Sequence, residues 1–171
     1  VANMAASRAI VIAYTMPLWA SILSIFFLGE AMTLRRAAAL AVGMGGLVIL
    51  IGAELATVSE TPVGLFFTFG AAWFWASGVT LLKRIDWRIP TLTLAGYQLL
   101  IGGLPLIVGA FLLDTSDLTA YSWKAWGSVT FLIAATSLGY WAFFKVLTLL
   151  PAGTAAIGVL LSPVIGVLAS V

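Results

Sequence analysis

The chain has 171 residues, 63% of them hydrophobic and only 8% charged, with a mean hydropathy of +1.16. Soluble domains carry about a quarter charged residues, and the eight basic and six acidic side chains here cannot cover an aqueous surface, so the solvent for most of the chain is a bilayer. The absence of His and Cys excludes disulfides, thiolate and imidazole metal sites, Cys nucleophiles and His-dependent triads, and a net charge of +2 is too small for a nucleic-acid binder.

A helix needs about 20 apolar residues to cross about 30 Å of hydrocarbon. Six such runs lie between the charges, over 9–28, 37–53, 63–82, 91–113, 125–147 and 152–171, and they predict an all-α, multi-span membrane bundle. In the first run Ser7, Tyr14, Pro17, Ser21 and Ser24 share a helical face. Tyr14 is a candidate cavity residue and Pro17 a candidate mid-span hinge, against the alternative of a proline-kinked packing helix. Glu30 ends this run and is placed to pair with Arg35 or Arg36 in a structural contact. In the second run Ala37, Ala41 and Gly45 form a small-residue stripe, suited to packing within the molecule or to a homodimer contact.

The third run sets Phe66, Gly70, Trp73, Ser77 and Thr80 along one face. With Trp73 and Ser77 it can wall a substrate path, or its Gly and Ser can serve helix packing, the hydroxyls bonding their own backbone. The fourth run aligns Gln98, Gly102, Pro105 and Gly109, with Tyr97 adjacent, and Gln98 is the only glutamine in the chain. An amide in hydrocarbon needs partners, which a ligand or a neighbouring helix can supply, and Pro105 is a second candidate bend. In the fifth run Thr130, Ala134, Ser137, Trp141 and Lys145 share a face, with Tyr140 beside them. Lys145 either snorkels to the interface or offers a cation to a carboxylate ligand, while Trp141 offers a ring face. Pro163 interrupts the sixth run.

Short cytoplasmic loops retain Lys and Arg. Arg35, Arg36, Lys83, Arg84, Arg88 and Lys145 fall on one side, which is assigned to the cytoplasm; Arg8 and Lys124 fall on the other with Glu54, Glu60, Asp114 and Asp117. Trp87, Trp123 and Trp126 then lie near the interfaces as anchors. No Asp or Glu lies deep in any run, so no proton relay is visible.

Displacing the chain on itself by 146 positions lays Pro17 on Pro163, Ala6 on Ala152, Ala9 on Ala155 and Ser24 on Ser170. Five crossings separate the two copies, so the second enters the membrane from the opposite side. Inverted repeats with interrupted helices at matching positions point to a secondary transporter with a midplane site. Two such units make roughly 290 residues and ten spans. The start at Val1 and the stop at Val171 within an apolar run then predict that the chain holds part of such a protein.

Several runs carry a family resemblance. Ala6-Ser7-Arg8-Ala9, Tyr14-Thr15-Met16-Pro17, Phe26-Phe27-Leu28-Gly29-Glu30, Thr33 and Arg35 resemble the close of an EamA-type repeat of the drug/metabolite transporter superfamily. Val63-Gly64 through Phe74-Trp75-Ala76 resembles the opening helix of the next repeat, and Leu149-Leu150-Pro151-Ala152-Gly153 with Ser162-Pro163-Val164-Ile165 its fourth. The resemblance implies that 1–53 are the last two helices of the first repeat, 54–62 a loop and 63–171 the first four helices of the second. It further implies a bacterial inner-membrane carrier of amino acids, related metabolites or drugs, many such carriers being exporters, with no cofactor. Two other classes stand against it: a non-transporting assembly module, and an intramembrane enzyme. For the latter a Ser137–Lys145 pairing is the remaining route, and two turns of one helix separate those residues.

Overall fold

The computed structural model describes residues 12–55, 62–113, 122–162 and 165. Its helices are α1 (Met16–Leu28), α2 (Leu34–Leu55), α3 (Pro62–Arg84), α4 (Thr91–Leu113), α5 (Trp123–Leu149) and α6 (Ala152–Gly158), with no strand among the described residues. Val63–Arg84 of α3, all of α4 and all of α5 are long and apolar enough to cross a bilayer. The chain is an all-α membrane protein.

The first and sixth spans differ from expectation in the same way. Pro17 was expected mid-span, yet it sits in the first turn of α1, which has Thr15 as N-cap and runs only 13 residues. Residues 12–13 are helical and Tyr14–Thr15 form a turn between them and α1. A proline has no N–H for the carbonyl four residues back, here Ala13, and its ring would strike that carbonyl; in a first turn neither cost arises. Short bonds close the break instead, Thr15 N–H to the Ile12 carbonyl and Leu18 N–H to that of Thr15, both 3.0 Å. Likewise α6 ends at Gly158 after seven residues. A turn follows at Val159–Leu160, whose N–H groups donate to the Ala156 and Ile157 carbonyls at 3.0 Å. Val159 stands four residues before Pro163 as Ala13 does before Pro17. Pro163 itself lies outside the described residues.

Two compact bodies form, one holding α1, α2, α3 and α6, the other α4 and α5. In the first, α1 packs on both α3 and α6. The seam is made of small side chains: Ala20, Ala76 and Ala156 are fully buried with Leu23, flanked by Trp19 and Trp75. Along α3 the inward stripe is Thr68, Ala72, Ala76 and Thr80. Large apolar residues face outward, as with Leu34 and Ile49 at 86% and 85% exposure. This inversion suits a bilayer, where lipid tails solvate Leu as well as protein does and helices associate through close approach of small residues.

A second cluster joins Leu40 and Leu47 of α2 to Leu160, with Tyr14, Leu18, Met44 and Ile157 around it. Leu160 fills the space at Gly43, where an added Cβ would lie 2.5 Å from its Cδ1. The expected stripe is therefore not the one used within this body, since Ala41 and Gly45 are exposed. In the second body α4 packs on α5, and α4 continues as helix through Pro105.

Local chemistry sets the helix ends. Thr33 caps α2 by accepting the Arg36 N–H at 3.3 Å, and Ser122 caps α5 by accepting that of Ala125 at 3.3 Å. Gly29 ends α1 in the left-handed region at φ 66°, and its N–H and that of Glu30 both close on the Ser24 carbonyl. Nothing lies within 4 Å of a Cβ built there, so the strain of a side chain is backbone strain alone. Gly29→Ala should cost about 1–2 kcal/mol and Gly29→Asn less, since asparagine tolerates this conformation. Thermal unfolding midpoints of the two variants in detergent check the order.

Candidate functional site

The α6 N-terminus presents a capping problem. Its N-cap is Pro151, which has no side-chain acceptor, so the first amides of the helix need an oxygen from elsewhere. Glu30 supplies it from 122 positions earlier: Oε1 accepts the Ala152 N–H at 2.6 Å and Oε2 that of Gly153 at 3.3 Å. Arg36 donates from Nη2 to the same Oε2 at 3.0 Å, and the two side chains are only 11% and 13% exposed. Arg36 is held in turn, Nη1 donating to the Ala31 carbonyl at 2.8 Å and Nη2 to Ser24 Oγ at 3.4 Å. Ser24 Oγ donates to the Ser21 carbonyl at 2.9 Å. From α3, Lys83 Nζ donates to the Leu150 carbonyl at 3.0 Å.

A carboxylate on helix amides is also favoured by the partial positive charge of that terminus, and hydrogen bonds to charged groups contribute about 1.5–3 kcal/mol each. Glycine at 153 leaves room for the clasp, because a Cβ there would displace the Arg36 Nη2 tip and stand 3.0 Å from Ser24 Oγ. Chemically this is a joint between α1, α2 and α6. The sequence reading pairs Glu30 with an arginine and does not reach the α6 amides; the signal for them is a proline N-cap followed by Ala-Gly, with no acceptor of its own.

The residues expected at the substrate path fall as follows. Trp73 stands edge-on to Trp19 with ring centroids 5.2 Å apart, and Trp19 meets Phe69 in the same way at 5.1 Å. Ser77, one turn on, donates to the Trp73 carbonyl at 2.9 Å. These two residues therefore sit together on α3, joined by Trp19, which the sequence reading missed and whose Nε1 is buried without a hydrogen-bond partner. Tyr14 belongs to the other cluster, half-buried against α2 and Leu160. On the serine face of α1, Ser21 and Ser24 are fully buried in the seam, as is Pro17, and Ser7 lies outside the described residues. In the second body Gln98 and Tyr97 are exposed on α4, and Ser137, Trp141 and Lys145 are exposed along α5. Tyr140 is half-buried, its ring edge-on to Phe144 at 6.1 Å.

The chain is similar to two curated proteins of Bacillus subtilis (strain 168). It is 24% identical over 157 residues to the uncharacterized transporter YoaV, covering 91% of this chain and 54% of that protein. It is 25% identical over 162 residues to the uncharacterized transporter YvbV, covering 93% and 52%. The chain thus spans about half the length of the curated relatives it matches. No solved structure gives a significant match. The model of the EamA-like transporter family matches residues 1–52 and 62–171, on either side of the junction between α2 and α3. The chain belongs to the EamA-like transporter family.

Proposed function

We propose that the complete protein is a secondary carrier, an exporter of small metabolites such as amino acids or of related amphiphilic compounds and drugs, in the bacterial inner membrane. It works by alternating access about a midplane site between two inverted repeats. The observation that carries this reading is the pair of helix breaks that correspond to within one residue, Tyr14–Thr15 ahead of Pro17 and Val159–Leu160 ahead of Pro163. Broken helices at membrane depth are tolerated where their backbone is buried in protein or lines a cavity. The family and the transporter-named relatives support the same reading.

The candidate substrate residues are Tyr14, Trp73, Ser77, Gln98, Ser137, Tyr140, Trp141 and Lys145, with Pro17, Pro105 and Pro163 as candidate hinges. Gln98 can both donate and accept toward an amino-acid-like solute, and Trp141 offers a ring to an aromatic or cationic one. The test is counterflow in proteoliposomes holding the complete protein, with a panel of amino acids and amphiphiles. Gln98→Ala and Trp141→Ala should each lower the transport rate roughly tenfold, as loss of one polar or ring contact to the solute would, with folded yield unchanged. Unaltered kinetics in both would remove these residues from the site.

A further inference from the structure

We propose that the Glu30 clasp is the gate on the arginine-rich side of the carrier, a contact between the two repeats that must part before that side of the path opens. The inference rests on the carrier reading above. Glu30, Arg36 and Ser24 lie in the first matched segment of the family and Ala152 and Gly153 in the second, so the carboxylate bridges the two halves. It does so beside Arg35, Arg36 and Lys83, at the end of α1 that faces the basic side. One helix turn further in, Ser21 is fully buried and its Oγ has no hydrogen-bond partner, and beyond it the seam is alanine. The polar bonds between α1 and α6 are thus gathered at one end, while the rest of their contact is apolar and smooth.

That distribution is what a reversible closure needs. Glu30 and Arg36 are enclosed but lie next to the basic residues that the sequence assigns to the cytoplasmic side, so parting the helices returns carboxylate, guanidinium and both amides to water instead of stranding them in lipid. A contact that is strong when made and solvated when broken leaves both states accessible. With the clasp made, the conformation described here is closed on the basic side.

Thiol accessibility in the complete protein tests this without a substrate. The chain has no cysteine, so Ser21→Cys places one reporter beneath the clasp, about 10 Å inward from the end of α1, in a background cleared of any other cysteine. Membrane-impermeant maleimide is added from the basic side of oriented vesicles, with and without Glu30→Gln. The clasp predicts slow labelling with Glu30 and labelling roughly tenfold faster or more with Glu30→Gln, as the closed population falls. Equal rates in a monodisperse Glu30→Gln protein would overturn the gate.

A second arm retains Glu30. A Cβ at position 153 would stand 3.0 Å from Ser24 Oγ, within reach of a disulfide once the Arg36 tip swings aside. Oxidised Ser24→Cys/Gly153→Cys should stop transport and reductant should restore it; equal transport in the oxidised and reduced protein would again overturn the gate. A wild type that carries none of the solutes offered would sink the carrier reading, and the labelling rates would still decide whether the clasp controls access.

Discussion

Replacing Glu30 by alanine is expected to destabilise the complete protein by about 3–5 kcal/mol, the usual cost of removing one member of an enclosed ion pair. Three donors lose the carboxylate at once: the Ala152 and Gly153 amides and Arg36 Nη2, which keeps only its 3.4 Å bond to Ser24 Oγ. Arg36 is the costliest of the three, since the side chain is only 11% exposed and keeps its charge. The double variant Glu30→Ala/Arg36→Ala should therefore be less destabilised than the sum of the two single changes, because it removes the stranded guanidinium as well. Arg35→Ala, at an exposed position next door, should stay within about 0.5 kcal/mol of the parent. Unfolding midpoints of the parent and the four variants in one detergent give the comparison. A Glu30→Ala midpoint level with that of Arg35→Ala would mean that water caps α6 equally well.

The second large effect is expected in the alanine seam. Ala76 is fully buried beside Ala20 and Ala156, so Ala76→Leu must force three carbons between helices in near backbone contact. Overpacking of this kind costs about 1–3 kcal/mol in soluble cores. Here α1 has contacts on both α3 and α6, and a lateral shift away from α3 would also pull on the clasp. Lower folded yield and a lower unfolding midpoint are the expected readout. The control is Ala71→Leu on the same helix, whose side chain is exposed and outside the seam, and which should leave the midpoint unchanged within about 0.5 kcal/mol. Equal behaviour of the two would show that the seam is looser than its burial implies.

The membrane-spanning character of α3, α4 and α5 was readable from the spacing of charges, because lipid demands long uninterrupted apolar runs and only a few places can supply them. The faces of those helices were less legible. On α3 the stripe Phe66, Gly70, Trp73, Ser77, Thr80 reads as the significant one, yet the packed stripe is Thr68, Ala72, Ala76, Thr80. A helix that is apolar all round gives periodicity nothing to separate, since lipid-facing and protein-facing positions differ in size and hardly at all in polarity. Hydroxyls mislead for a related reason. Ser77, Thr80 and Thr130 each donate to the carbonyl one turn back, a bond that needs no partner helix and no ligand. Pro17 was readable as a break but not as a start, because proline is equally at home in a kink and in a first turn. The union of Glu30 with Ala152 was beyond local reasoning altogether: nothing in short-range spacing ties positions 122 residues apart.

The seam of Ala20, Ala72, Ala76 and Ala156 has one more property. Alanine has no side-chain torsion to freeze, and its rotamer entropy cost on burial is about zero. Parting or closing the alanine part of this surface requires no rotamer to change, and Leu23 is the one large side chain of the cluster that has to move as the backbones slide. The friction of that motion is then set by backbone contact and by the aromatic side chains at the margins, Trp19 and Trp75, which makes their bulk the natural dial for its speed.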